Sequence, residues 1–149
     1  MREFTFAITY EPGADPLTDE FIDCPELAAD SMDVPLGDGA FCRVERFTGP
    51  RPALDAVERL RTDPGYVGES VGTAACDATA DYHVLERDPE RRVVYSYVEG
   101  LTGCTSVHAL ARRHLDPGVL FESRREGDRH DWRLLLRSDH NVGLFYDAL

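Results

Sequence analysis

Residues 119–136 read VLFESRREGDRHDWRLLL, and this stretch decides the fold class. Val119-Leu120-Phe121 on one side and the alternating Trp132, Leu134 and Leu136 on the other flank Glu126-Gly127-Asp128. Two apolar-patterned runs around a short glycine-containing centre predict a β-hairpin. A second hairpin lies upstream, where Tyr82 and Val84 and then Val93, Tyr95 and Tyr97 bracket Arg87-Asp88-Pro89-Glu90. Between the two, Val107, Leu110, Ala111 and Leu115 recur at i, i+3, i+4 and i+8, the stripe of an amphipathic helix. Gly100-Leu101-Thr102-Gly103 precedes that helix and Asp116-Pro117-Gly118 stops it.

The first half is less regular. Phe4, Phe6, Ile8 and Tyr10 alternate with polar or small residues, as in a half-buried strand. Asp15-Pro16 offers an N-cap followed by proline at the first helical position, and Leu17, Phe21 and Cys24 follow at helical spacing. Residues 26–40 are rich in Asp and Gly and read as irregular. FCRVERF at 41–47 alternates again, with Phe41, Arg43, Glu45 and Phe47 on one face and Cys42, Val44 and Arg46 on the other. Which face is buried stays open. Ala53, Leu54, Val57 and Leu60 predict a helix, residues 65–80 a long loop, and Val142, Phe145, Tyr146 and Leu149 a last helix that Asp139 can cap. The expected order is β-α-β-α-ββ-α-ββ-α. That is an α+β domain over residues 1–149, a mostly antiparallel sheet with helices packed on one face.

Composition narrows the function classes. The 149 residues carry 28 carboxylates against 16 basic residues, all of them Arg, for a net charge of −12. The absence of Lys beside such acidity reads as adaptation to molar salt, where the Debye length is only ~3 Å. No basic stripe of the kind that neutralises nucleic-acid phosphates is present. No apolar run approaches the ~20 residues of a membrane helix, and the N-terminus lacks the pattern of a signal peptide. The expectation is a cytoplasmic chain with no membrane partner. The Arg pairs 91–92, 112–113 and 124–125 sit among carboxylates and are expected as surface ion pairs, and His130, beside Asp131, as a solvated turn residue.

Three sets of residues carry candidate chemistry. Cys104 and His108 stand four apart at the start of a helix, so both can face one side of its first turn. A helix N-terminus favours thiolate, and Cys with His is a soft-metal donor pair. Cys76, in the long loop, is a third member. Together they form a redox- or metal-responsive candidate set, with a transition metal or no cofactor at all. The competing reading makes Cys104 a small buried hydrophobe and His108 a surface residue. Cys24 and Cys42 complete the four cysteines, none of them in a C-x-x-C motif. The aromatics Tyr95, Tyr97 and Trp132 form the second set. They serve either cross-strand packing or a pocket for a small planar ligand between sheet and helices. Third, Gly68-Glu69-Ser70-Val71-Gly72 matches G-x-S-x-G. It lacks the strand–turn–helix context and the Asp–His partners that a serine hydrolase needs, so the chain is read as non-enzymatic. A small hydrolase or thiol enzyme built on Ser70 or Cys104 is the least favoured alternative.

Several stretches together resemble the N-terminal domain of haloarchaeal helix-turn-helix transcriptional regulators of the bacterioopsin-activator type. They are Arg2-Glu3-Phe4, Tyr10 to Pro16, Arg43 to Pro50 with Ala53-Leu54-Asp55, Gly103 to Val107, Leu115 to Glu122, Trp132 to Leu136, and Leu144 to Leu149. The resemblance implies a sensory or dimerising domain. DNA would be read by a C-terminal helix-turn-helix domain that is not in this chain. A homodimer is expected, two-fold dimers being the commonest oligomers. The alternative is a small-ligand-binding domain with an aromatic pocket and inert cysteines.

Overall fold

The computed structural model describes residues 2–37, 39–63, 66, 78–101, 106–138 and 140–149. Strand β1 (Arg2–Thr9) is followed by helix α1 (Pro16–Asp23), strands β2 (Ala28–Pro35) and β3 (Phe41–Thr48), and helix α2 (Arg51–Arg61). Then come β4 (Thr79–Asp88), β5 (Arg91–Glu99), α3 (Val107–His114), β6 (Leu120–Glu126), β7 (Arg129–Leu136) and α4 (Val142–Ala148). The seven strands form one antiparallel sheet in the order β1-β7-β6-β2-β3-β5-β4. The α+β class, the two hairpins and the single covered face are as the sequence predicts. No helix among the described residues is long and apolar enough to cross a membrane.

One element departs from expectation. Residues 28–35, read as irregular, are the centre of the sheet, hydrogen-bonded to β3 on one side and β6 on the other. Asp30, Ser31 and Asp33 interrupt any apolar alternation here. Asp33 nevertheless points into the protein and is satisfied there by charge. The strand is thus held by ladder hydrogen bonds and an internal ion pair instead of an apolar stripe.

Helix starts follow local chemistry. Asp15 caps α1, its carboxylate accepting from the backbone N–H of Thr18 at 3.0 Å, with Pro16 at the first turn. Ser106 caps α3, accepting from the N–H of Ala109 at 3.0 Å. Each is worth about 1 kcal/mol. At α4 the N-cap is Asn141, whose φ of 63° places it in the left-handed region, and Asp139 lies outside the described residues.

Among the described residues, the helix-covered face carries two large apolar cores and a smaller one of Phe41, Val98, Leu101 and Ala78. Leu17 and Phe21 of α1 and Ala53, Leu54 and Val57 of α2 pack on Ala29, Phe47 and Val94. Val107, Leu110 and Ala111 of α3 and Phe145 of α4 pack on Phe121, Trp132, Leu134 and Leu136, with Phe4, Phe6 and Ile8 of β1 alongside. Between the cores the same face is polar: Ser31 and Asp33 of β2, Arg43 and Glu45 of β3, Ser123 and Arg125 of β6, and His130 of β7. Among the described residues, the opposite face of the sheet carries no helix.

Candidate functional site

The polar seam is built from charges that the sequence places at inward positions. Arg43, Glu45, Phe41 and Phe47 share the buried face of β3, which resolves the ambiguity of FCRVERF. Arg43 forms a two-pronged ion pair with Asp33 on the neighbouring strand, Nε to Oδ1 at 2.7 Å and Nη2 to Oδ2 at 2.8 Å. His108 Nε2 meets the same Oδ2 at 2.7 Å. Arg61, at the end of α2, reaches down to Glu45 in the same two-pronged fashion, at 2.6 and 3.1 Å. All five side chains are almost fully buried.

Geometry sets the charge states. Burial alone would raise the carboxyls of Asp33 and Glu45. The guanidinium of Arg43, with hydrogen bonds from His108 and Arg43, outweighs burial at Asp33 and holds it well below the usual carboxylate range. At Glu45 the charges of Arg61 and Arg43 do the same. Both carboxylates are therefore ionised at neutral pH. His130 is pushed the other way. Burial, then the nearby charges of Arg125, Arg43 and Arg61, drive its pKa well below the ordinary histidine value, so the ring is neutral.

His108 joins this seam to a cavity of about 520 Å³. Its ring stacks on Phe41, centroids 4.0 Å apart and 11° between planes, and touches Phe121 at 4.6 Å and Trp132 at 5.6 Å. The cavity lies at the end of the sheet. Its walls are the β2–β3 turn (Pro35, Gly37, Gly39, Ala40), Leu101, the inner side of α3 (His108, Ala109, Ala111) and the descending segment Leu115–Val119. Arg112, Arg113 and Asp116 also line it. The lining is mostly apolar, with a few polar groups, and the volume is that of a small-molecule site. His108 is 8% exposed. With Nε2 committed to Asp33, its Nδ1 makes no hydrogen bond.

The candidate residues separate as follows. Cys76 and Cys104 lie outside the described residues, as does Ser70. His108 is not a surface residue; it is the buried hinge between cavity and ion network. Among the described residues no three His, Cys, Asp or Glu side chains are grouped to hold a metal. Cys24 and Cys42 are free thiols, half-buried and on different elements. Tyr95, Tyr97 and Trp132 do not share a pocket. On β5 it is Val94, Ser96 and Val98 that face the helices, so Tyr95 and Tyr97 fall on the uncovered face. Trp132 stands inside, stacked on Phe6 at 6.2 Å. The α3 cavity is lined by Phe41 and Phe121 and by none of Tyr95, Tyr97 and Trp132.

Two further expectations are corrected. Of the arginine pairs, Arg91 and Arg124 do form surface ion pairs, but Arg92 and Arg125 are buried. Strand alternation sends adjacent residues to opposite faces, which splits these two pairs, whereas Arg112 and Arg113 on α3 are both exposed. Arg92 meets Asp55 at 2.8 Å. His130 is not in a turn; it sits on β7, 3% exposed.

Asp33 and Arg61 carry no functional signal in the sequence, and Arg125 reads there only as surface charge. Only the phenylalanines at both ends of the Phe41–Phe47 row signalled that the charges between them were buried.

No curated protein and no solved structure matches the chain. The model of the family described as HVO_2928_N, N-terminal, matches residues 3–149. The chain belongs to that family.

Proposed function

We propose that this chain is the non-catalytic N-terminal sensory domain of a cytoplasmic, DNA-binding transcription regulator of salt-adapted cells. Its signal is a small, largely apolar, planar molecule taken up by the α3 cavity. DNA is read by a separate C-terminal helix-turn-helix domain. The match to a family of N-terminal domains supports the placement. The observation that carries the sensory reading is the cavity wall, where the His108 ring lies against Phe41 and Phe121 with Nε2 clamped to Asp33, while Nδ1, shielded from solvent, lacks a partner. A ligand that fills the cavity presses on this ring, and a small turn of it brings Nδ1 within reach of one hydrogen-bonding group. Asp33 and Arg43 then relay any movement of His108 to the centre of the sheet. Both oxygens of Asp33 are occupied, which fixes the carboxylate as an anchor for His108 and Arg43.

The test is a thermal-shift screen of small planar molecules, neutral and acidic, on the wild-type chain and on Ala109→Phe, which fills the cavity. At a hundredfold excess over Kd a ligand stabilises by about 2.7 kcal/mol, a Tm rise of about 5–11 °C at this chain length. The rise should vanish in Ala109→Phe. No stabilising compound, or one equally effective on the filled variant, refutes the reading. A redox- or metal-responsive version would have Cys76 and Cys104 act with His108. Titrating the free thiols before and after oxidant tests it, and an unreactive Cys104 in both states removes it.

Homodimerisation fits the uncovered face of the sheet, with a second copy as its occupant. Met32 and Val34 are 44% and 41% exposed there, and Cys42, Val44, Tyr95 and Tyr97 continue the patch on adjacent strands. Six strand spacings by eight residues of strand cover roughly 750 Å², close to the ~800 Å² per partner of a stable interface. Met32→Glu with Val34→Glu should halve the mass measured by light scattering, and a monomeric wild type refutes it.

A further inference from the structure

Arg125, His130 and Trp132 form a second polar group that the α3 cavity does not use. Arg125 and His130 are directly opposite each other on β6 and β7, and Trp132 stands two residues further along β7 on the same inward face. The rings of His130 and Trp132 are 4.5 Å apart. All three side chains are 5% exposed or less. Arg125 donates from Nη1 to the hydroxyl of Thr18 at 3.3 Å, and that hydroxyl donates onward to Asp15 at 2.8 Å. Beyond this, Arg125 Nε, both ring nitrogens of His130 and Trp132 Nε1 make no hydrogen bond.

Charge counting sharpens the observation. Three guanidinium groups are buried in the seam. Arg43 is paired with Asp33 and Arg61 with Glu45. Arg125 has no carboxylate within 4 Å among the described residues. A buried unpaired charge is among the costliest features a core can hold, and here it stands beside unused N–H donors. His130 cannot supply the missing negative charge, and its neutral ring keeps one N–H of its own. A single monovalent anion would balance the charge and accept from these donors at once. Arg125 and His130 line neither the α3 cavity nor the shallow trough on the uncovered face, and of the three only Trp132 borders that trough. Side chains this buried favour a halide-sized ion over an organic acid.

We infer that Arg125, Trp132 and His130 form an internal binding site for one small monovalent inorganic anion, with chloride the class of ligand it takes. The anion accepts from Arg125 Nε, Trp132 Nε1 and the single N–H of His130, and locks α1 to the β6–β7 hairpin through Thr18. Trp132 is the only tryptophan of the chain, so its fluorescence reads the site directly. Bromide is titrated against wild-type protein at constant ionic strength, with gluconate as the replaced anion. The expected result is saturable quenching that chloride reverses by competition, and loss of the saturable component in Arg125→Leu. Because that variant could fail to fold, wild-type crystals soaked in bromide give a second measurement, an anomalous peak in contact with Trp132 Nε1. Quenching that is only linear in bromide, or density that is only water, overturns the proposal. Neither measurement depends on whether the α3 cavity binds an organic ligand.

Discussion

Replacing Asp33 by Asn tests the ion network at its most connected point. The wild-type carboxylate holds Arg43 by two hydrogen bonds of 2.7 and 2.8 Å and His108 by one of 2.7 Å. Asn keeps the shape but removes the charge, which leaves a guanidinium only 3% exposed without its carboxylate. Breaking a buried pair in this way costs about 3–5 kcal/mol. For a chain of this length that is a Tm loss of about 6–20 °C. The pH dependence has a definite sign. The folded pKa of Asp33 is depressed below its ordinary value of 3.8 by the guanidinium of Arg43 and the hydrogen bonds it accepts. Its contribution is thus fully present above the unfolded value and is lost as pH falls towards the folded one. The gap between wild type and Asp33→Asn should therefore be widest near pH 7 and narrow below about pH 4. Both are read by thermal or urea unfolding across that range. In the double variant Asp33→Leu/Arg43→Met most of the loss should return, since apolar replacement of a whole buried pair is close to neutral. A Tm loss under about 3 °C at pH 7, roughly 1 kcal/mol, or a gap that stays constant into acid, refutes the assignment.

Three smaller predictions separate local effects. Asp15→Ala removes the cap of α1 and the acceptor for the Tyr66 hydroxyl at 2.5 Å, and should cost about 1–2 kcal/mol in urea unfolding. Gly118 has φ of +94° at the rim of the α3 cavity. Gly118→Ala should cost about 1–2 kcal/mol from backbone conformation alone, since the close atom belongs to the flexible Arg137 side chain. Arg124→Ala removes two exposed ion pairs, to Asp30 and Glu126, and should change stability by less than about 1 kcal/mol, with the small effect disappearing in high salt.

The sequence made the architecture legible where burial is apolar. Both hairpins, α1 with its Asp15-Pro16 start, and the α3 stripe all follow from period-two or period-3.6 patterning. It failed where burial is ionic. Strand β2 has no apolar alternation to find, because Asp33 sits where a core residue would. The arginine pairs looked like solvated charge, yet alternation along a strand buries one member of two of them. The aromatic pocket was assigned to the wrong parity on β5: Val94, Ser96 and Val98 take the inside, so the larger Tyr95 and Tyr97 stay out. For His108 the position was legible but the environment was not, since its partner Asp33 lies 75 residues away in sequence.

Strand order has a consequence for how the domain is made. Glu3 reaches Arg133 across 130 residues and Ser31 reaches Ser123 across 92. The first and third elements of the chain thus find their β7 and β6 neighbours only after residues 120–136 have been made. A nascent polypeptide interrupted before Leu120 has neither β1 nor one flank of β2 secured. Non-local pairing of this kind slows the search and leaves strand edges open meanwhile. Emergence from the ribosome is therefore the interval in which this polypeptide is most exposed to chaperone capture or aggregation.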